Sequence, residues 1–406
     1  MLRGVSPMRL AARLALRGLG KVEPNPLVGC VIVGECGAVL GMGHHRVLGG
    51  PHAEVDALAS AARLGHDVRG ATMFVTLEPC NHSGRTPPCS HAIVRAGIRE
   101  VVIGAKDPNP IAMGGMKTLR DAGVRVVLCG QTGEDAQARA GDSDRAVSEH
   151  ADADDARLCQ RLLQPFALRL QRARPWVIAK WAQTLDGRVA TRTGESKWIS
   201  GELARDRVHR LRGRVDGVLT GIGTVIADDP MLNARRSVPP RRVATRVVAD
   251  TDLDVPLDRK VITSARDLPT LVACERSMAC TSYSAKKRAA LDQAGVTIVP
   301  IADNGIGRGI DLRELLGVLH TQHRMSTVMI EAGPGLLGSL IEDDLIDEAI
   351  VYIAPLVLGD EQAKSVAIGR VAERLSSARA FDLLRVRPCG QDIEVTYRRR
   401  LDPLRV

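Results

Sequence analysis

Aromatic side chains are scarce in this chain: three Phe, three Trp and three Tyr, 2% of 406 residues. Proteins that grip single-stranded nucleic acid stack its bases on aromatic platforms, and so few rings leave little to build one from. A formal charge of +9 would otherwise invite a nucleic-acid reading, but the arginines behind it are scattered through both halves. Such a balance suits a phosphorylated substrate and cofactor equally well. Long apolar runs are also missing, and none approaches the roughly 20 residues of a membrane span. Nor is there a disulfide framework. The nine cysteines (30, 36, 80, 89, 129, 159, 274, 280 and 389) are odd in number and dispersed, which points to a reducing cytoplasm. The rest is ordinary for a soluble globular protein, 45% hydrophobic and 25% charged, with length for two or three domains. Met1 to Gly20 is Arg-rich and acid-free like a transit peptide. Leu10, Leu14 and neighbouring alanines recur at helical spacing, however, so Arg9 to Arg17 reads better as a first helix.

The stretch that carries chemistry runs from Pro51-His52-Ala53-Glu54 to Thr76-Leu77-Glu78-Pro79-Cys80-Asn81-His82-Ser83-Gly84-Arg85-Thr86-Pro87-Pro88-Cys89. One histidine and two cysteines supply three ligands to a tetrahedral Zn²⁺ and leave a fourth place for water. Zinc lowers the pKa of that water to about 7, and a glutamate that is not a ligand can carry its proton to a leaving amine. The His-x-Glu pair followed by Pro-Cys and a final Cys is the deaminase signature, so His52, Cys80 and Cys89 are the candidate metal ligands and Glu54 the proton carrier. The spacing predicts His52 at the threshold of a helix over Ala53 to Leu64, with Glu54 in its first turn. A buried strand over Ala71 to Leu77 delivers Cys80, and Cys89 opens a helix through Ala96. Both helix starts favour anionic groups. The plain alternative, a buried histidine and two inert core cysteines, has to explain four chemically matched positions and two Pro-Cys junctions at once.

Together with Pro24-Asn25-Pro26-Leu27-Val28-Gly29-Cys30-Val31-Ile32-Val33 and Asp107-Pro108-Asn109-Pro110, this stretch closely resembles the deaminase half of the bifunctional riboflavin-biosynthesis deaminase–reductases. The resemblance implies a cytidine-deaminase-like three-layer α/β/α domain, with Asn25 at the pyrimidine edge and His82 and Arg85 helping to place the substrate. The β/α alternation from Leu27 to Leu128 agrees with a sheet covered by helices. From Gly130 to about Ala156 the residues turn small and polar and read as a linker, and Leu158 to Leu170 as a helix leading onward.

The second half opens with the strand Trp176 to Ala182 and the turn Asp186-Gly187-Arg188. A helix follows around Glu202 to Arg212, and then a series of strands at Arg246 to Ala249, Leu271 to Cys274, Val296 to Pro300, Thr327 to Ile330 and Glu348 to Ile353. Glu331-Ala332-Gly333-Pro334-Gly335-Leu336-Leu337-Gly338-Ser339 is a strand end, a Gly-rich turn and a helix start, which lets backbone amides approach a phosphate. Alone the pattern is weak and fits any tight strand-to-helix connection. With Lys180, Gly194 to Trp198 and Ala227 to Pro230 it closely resembles the reductase half of the same family, a dihydrofolate-reductase-like α/β domain that uses NADPH. Carried over, the resemblance assigns Ala182, Trp198, Thr224, Asp228, Thr251 and Gly333, Pro334, Gly335, Leu336, Leu337, Gly338 and Ser339 to NADPH. It assigns Ser196, Arg212, Leu232, Arg235 and Glu331 to a ribose phosphate substrate, with Lys180 nearby. Thr251 stands where serine is expected and keeps the hydroxyl.

These readings divide the chain into a zinc-dependent pyrimidine deaminase domain at 1–130, a linker and connecting helix at 131–172 and an NADPH-dependent reductase domain at 173–406. The expected function is two consecutive steps of riboflavin synthesis on a phosphorylated pyrimidine, with one zinc per chain and NADPH. Expected too are a homo-oligomer and no nucleic-acid or membrane partner. Rival readings are a live deaminase beside a reductase half kept for binding, a zinc deaminase acting on RNA, and a zinc-stabilised binding protein.

Overall fold

The computed structural model describes residues 5–82, 87–130, 153–235, 239–282, 284–305, 307, 309–369 and 372–400. Two compact units divide the chain, Met1–Arg172 and Ala173–Val406. No described helix is long and apolar enough to cross a membrane.

In the first unit, helix α1 (Pro7–Ala15) precedes strands β1 (Gly29–Val33) and β2 (Val39–His44). Helix α2 (Ala53–Arg63), β3 (Thr72–Val75), α3 (Cys89–Arg95), β4 (Glu100–Ile103), α4 (Gly115–Asp121), β5 (Arg125–Leu128) and α5 (Ala153–Arg172) follow. The sheet order is β2-β1-β3-β4-β5. β1 is antiparallel to β2 and β3, and the remaining pairs are parallel. Successive side chains of a strand face opposite ways, and the core obeys this. Met73, Val75, Val101 and Ile103 pack with α2, α3 and α4. Phe74 and Val102 pack on the other face with Met8 of α1 and Cys159 and Leu163 of α5. This is the expected three-layer arrangement.

Two differences from the sequence reading stand out here. The expected linker at 131–152 lies outside the described residues. The helix after it, instead of merely connecting, is a layer of the first unit: Ser6 and Arg9 bond the Asp155 carboxylate at 2.6 and 3.1 Å.

In the second unit, strand β6 (Trp176–Gln183) leads to β7 (Arg188–Ala190), α6 (Glu202–Arg212), β8 (Gly217–Gly221), α7 (Ile222–Asp228) and β9 (Thr245–Ala249). Then come α8 (Lys260–Thr263), β10 (Thr270–Glu275), α9 (Arg276–Cys280), α10 (Ala285–Gln293), β11 (Thr297–Ile301), α11 (Leu312–Thr321) and β12 (Thr327–Ile330). The unit closes with α12 (Pro334–Glu342), β13 (Glu348–Ile353), β14 (Lys364–Ser365), β15 (Phe381–Cys389) and β16 (Asp392–Arg399). Nine strands form one sheet in the order β11-β10-β9-β8-β12-β6-β13-β16-β15. The run from β11 to β13 is parallel throughout, so these strands present their carboxyl ends at one edge, where open α/β sheets bind ligands.

Helix α11 shows how sequence becomes packing in this unit. Asp311 caps it by accepting from the Arg313 and Glu314 amides at 2.8 and 3.1 Å. Leu312, Leu315, Leu316 and Leu319, on one helical stripe, enter the core beside Leu337 and Leu340 of α12. The β15–β16 hairpin was not expected from the sequence. Arginines interrupt its alternation, and Leu383, Val386 and Ile393 remain exposed, so no clean apolar face announces it.

Candidate functional site

The first unit gathers a metal-ligand set. His52 is the N-cap of α2 with its side chain uncommitted to capping, Cys80 follows β3, and Cys89 is the first residue of α3 after Pro88. Two glycines set the approach of α2 to the sheet. A Cβ at Gly43 would fall 2.3 Å from the Ala57 amide nitrogen, and one at Gly41 would fall 2.4 Å from the Ala57 carbonyl. With zinc bonds of about 2.3 Å to sulfur and about 2.0 Å to nitrogen, tetrahedral N and S ligands stand roughly 3.5 Å apart. His52 Nδ1 lies 3.5 Å from Cys80 Sγ and 3.3 Å from Cys89 Sγ, and all three ligand atoms fall within 4.8 Å of one another. The donor set therefore fits zinc. The Cys89 thiol holds the Cys80 thiol below its ordinary value, with help from His52 and against the effect of burial. The shared hydrogen bond, and then burial, push Cys89 up. The Cys89 amide also donates to Cys80 Sγ at 3.4 Å.

Glu54 is 3% exposed in the first turn of α2 and hydrogen-bonds with the Cys89 thiol. Burial lifts its carboxyl from 4.5 to about 7. Asn25 sits at the same site: its Nδ2 is 3.2 Å from His45 Nε2. The other nitrogen of His45 is 3.0 Å from the Pro51 carbonyl, which can only accept, so Nδ1 carries the proton and Nε2 accepts from Asn25. The His45 ring stands edge-on to His52 at 5.4 Å. His82 Nδ1 is buried without a hydrogen-bond partner among the described residues. Arg85 lies outside the described residues.

Three supporting residues escaped the sequence reading. His45 hid in a His-His pair, with nothing in the linear pattern to prefer it to His44. Glu78, buried, accepts from the Gly114 and Met116 amides at 3.1 Å each and so staples the loop before α4 to the strand that delivers Cys80. Arg169 of α5 donates to the Pro24 carbonyl, one residue before Asn25.

In the second unit the contiguous strands β9, β8, β12 and β6 bring Thr251, Thr224, Glu331 with Gly333, and Ala182 to one edge of the sheet. Glu331 is the hub. Arg212 grips it with two bonds, Nε to Oε1 at 2.5 Å and Nη2 to Oε2 at 2.9 Å, and Lys180 Nζ lies 3.8 Å from Oε2. Burial would raise the Glu331 carboxyl, but the Arg212 charge and hydrogen bonds, with Lys180, bring it down to about 2. Burial lowers Lys180, and Glu331 opposes that. Leu232 is buried beside Asn233, whose carbonyl accepts from Arg212 Nη1 at 3.2 Å.

The residues assigned to NADPH fall into smaller groups. Thr224 Oγ1 accepts from the Gly333 amide at 3.0 Å, joining α7 to the Gly-rich turn. The first amides of α12 carry no side-chain cap, so they remain available to phosphate oxygens. A Cβ on Gly338 would sit 1.9 Å from the Ile368 carbonyl oxygen, so that position needs glycine. Lys197 Nζ contacts the Asp228 carboxylate at 3.6 Å, beside a Trp198 that is 68% exposed with the Arg205 guanidinium 4.7 Å over its ring. Ser196 lies in the same turn as Trp198, where its carbonyl accepts from the Ile199 amide at 3.3 Å. Thr251 lies two residues past the end of β9, and its carbonyl accepts from the Glu275 amide at 3.0 Å. The second unit thus offers a phosphate-accepting helix start, an exposed indole and a hydroxyl, a set that fits a dinucleotide.

Comparison with known proteins meets this geometry from both ends of the chain. Residues 5–105 match the cytidine and deoxycytidylate deaminase zinc-binding region, and residues 175–395 match the RibD C-terminal domain. The riboflavin biosynthesis protein RibD of Aquifex aeolicus is 37% identical over 394 residues, covering 97% of this chain and 97% of its own. Among solved structures, Acinetobacter baumannii RibD superposes with a TM-score of 0.74 at 34% identity, over 97% of this chain and 98% of that one. A Thermotoga maritima diaminohydroxyphosphoribosylaminopyrimidine deaminase/5-amino-6-(5-phosphoribosylamino)uracil reductase gives 0.73 at 29% identity, over 97% and 98%. Matched in both halves and along almost its whole length, the chain belongs to the RibD family of bifunctional riboflavin-biosynthesis deaminase–reductases.

Proposed function

We propose that this chain carries two consecutive activities, deamination by the unit 1–172 and reduction by the unit 173–406. The substrate is 2,5-diamino-6-ribosylamino-4(3H)-pyrimidinone 5′-phosphate and the final product 5-amino-6-ribitylamino-uracil 5′-phosphate. The observation that carries the reading is the convergence of His52, Cys80 and Cys89 with a buried carboxylate, Glu54, beside them.

Zinc, when bound by those three side chains, supplies Lewis acidity and an acidified water. Glu54 takes the proton from the attacking water and delivers it to the departing amine, a shuttle for which a carboxyl poised near neutrality is suited. Asn25 donates to the pyrimidine edge from a position fixed by His45, and His82 and Arg85 help to place the substrate. Glu54 acts in both directions.

In the second unit, Arg212, Arg235, Ser196 and Leu232 hold the ribosyl phosphate, and Glu331, anionic and fixed, accepts hydrogen bonds from the sugar. Trp198, Thr224, Asp228, Thr251, Ala182 and the Gly333–Ser339 turn hold NADPH, which provides the hydride that opens the ribosyl group at C1′. Orientation of cofactor against sugar supplies most of the acceleration.

The test is incubation of the purified zinc-loaded chain with the diamino substrate and NADPH. Ammonia release and loss of nicotinamide absorbance are followed in parallel. Both are expected, the first independent of NADPH and the second dependent on completion of the first. Release of ammonia without any NADPH oxidation would leave the second unit a binding module.

A further inference from the structure

The stretch 229–235 after α7 contains residues assigned to the ribosyl phosphate, yet its backbone is an awkward one. Asp229 and Leu232 adopt φ of 44° and 51°, the left-handed region that residues with a Cβ avoid, so the loop depends on outside contacts for its shape. One end is held by the Lys260 amide, which donates to the Asp229 carboxylate at 2.8 Å. Asn233, four residues on, is held from α6. His209 Nδ1 lies 3.2 Å from the Asn233 carbonyl, the same oxygen that accepts from Arg212 Nη1 at 3.2 Å. A carbonyl only accepts, so this contact puts the imidazole proton on Nδ1. The Arg235 amide points its N–H at the same nitrogen from 3.4 Å, a longer contact that the tautomer donating to Asn233 leaves unmade. Asn233 in turn accepts from Arg235 Nη1 on its side-chain oxygen at 3.2 Å.

We propose that His209 is a positioning residue of the reductase site. With Arg212 it clamps the main-chain carbonyl of Asn233, so that Asn233 presents Arg235 to the phosphate of the substrate. The division of labour follows from geometry. Arg212 gives its Nε and Nη2 to Glu331 and its Nη1 to Asn233, so it belongs to the frame as well as to the substrate site. Arg235 is exposed and is the cation that the clamped Asn233 would aim at the phosphate. Burial, with the charges of Arg212 and Arg235, lowers His209 to about 4, so the ring stays neutral and adds no further positive charge to the frame. This inference rests on the reading of the second unit as a reductase for a sugar phosphate.

The experiment compares the full-length wild type with His209→Leu and His209→Asn. NADPH oxidation is measured on the deaminated phosphorylated substrate and on its dephosphorylated counterpart. Losing one hydrogen bond of the clamp should raise KM for the phosphorylated substrate about tenfold. In His209→Leu, kcat stays within about twofold and KM for NADPH is unchanged. His209→Asn, whose amide can donate to the same carbonyl, restores most of the loss. On the dephosphorylated substrate the two variants and the wild type have the same kcat/KM. An equal loss on both substrates, a fall in kcat at constant KM, or no change at all overturns the proposal. A wild type that releases ammonia but never oxidises NADPH overturns the reductase reading itself, a result distinguishable from any effect confined to His209.

Discussion

Replacing Glu331 with glutamine leaves the buried cations Arg212 and Lys180 without their counter-charge. A carboxyl held at about 2 against its ordinary 4.5, at about 1.4 kcal/mol for each tenfold, corresponds to roughly 3 kcal/mol of native-state stability. That agrees with the cost of about 3–5 kcal/mol for breaking one side of a buried pair. All three tryptophans, Trp176, Trp181 and Trp198, fall in the second unit, so intrinsic fluorescence during urea unfolding reports on that unit alone. Glu331→Gln should lower its unfolding free energy by about 3 kcal/mol at neutral pH. The sign with pH follows from proton binding. The native value is the lower one, so the unfolded state takes up protons first. The contribution is complete above 4.5 and disappears as the pH falls toward 2. The gap between wild type and variant should therefore be constant from neutrality to about pH 5 and then narrow. Adding Arg212→Met to Glu331→Gln should recover much of the loss, because the guanidinium left unpaired is gone. A variant as stable as the wild type at pH 7, or a gap that does not narrow by about pH 3.5, would refute the reasoning.

Glu54→Gln keeps the shape of the deaminase site and removes the proton carrier. Ammonia release should fall by about 10²–10⁴ while NADPH oxidation on pre-deaminated substrate is unaffected, as parallel assays of one preparation would show. Removal of zinc with a chelator should abolish ammonia release and spare the reductase, and elemental analysis of the untreated protein should find one zinc per chain; Cys89→Ser should lower that content. Arg169→Leu deletes the donor that fixes the Pro24 carbonyl beside Asn25. It should reduce kcat/KM for deamination by about tenfold, the worth of one charge-assisted hydrogen bond, with metal content unchanged. If zinc is lost as well, α5 supports the whole unit and not the Asn25 turn alone.

Much of the deaminase site was legible because its chemistry is local. His52 and Glu54 straddle a helix start, and each cysteine follows a proline at the end of a strand or the beginning of a helix, so short-range geometry already aims them together. Pairings such as Asn25 with His45, or Glu78 with the Gly114 and Met116 amides, were not legible. They are made between loops, and nothing in a linear pattern says which loops meet. The same limit applied to α5. Its apolar stripe announced a helix, but only the packing of Cys159 and Leu163 against Phe74 and Val102 shows which unit it completes.

By itself the sequence determined a zinc ligand set, a candidate proton carrier, the α/β class of both halves and, through resemblance, an assignment of residues to NADPH and sugar phosphate. Helix and strand periodicity and the spacing of the His and Cys residues are short-range properties, and a chain carries them whatever its tertiary contacts. Residue patterning could not choose among the many arginines; resemblance named Arg212, and tertiary structure supplies the physical reason. Arg212 stands among Arg205, Arg207, Arg210 and Arg214, and it is singled out by a carboxylate 119 positions away. That meeting depends on the order β8-β12-β6 in the sheet. Strand order is a long-range choice, settled by which faces bury together.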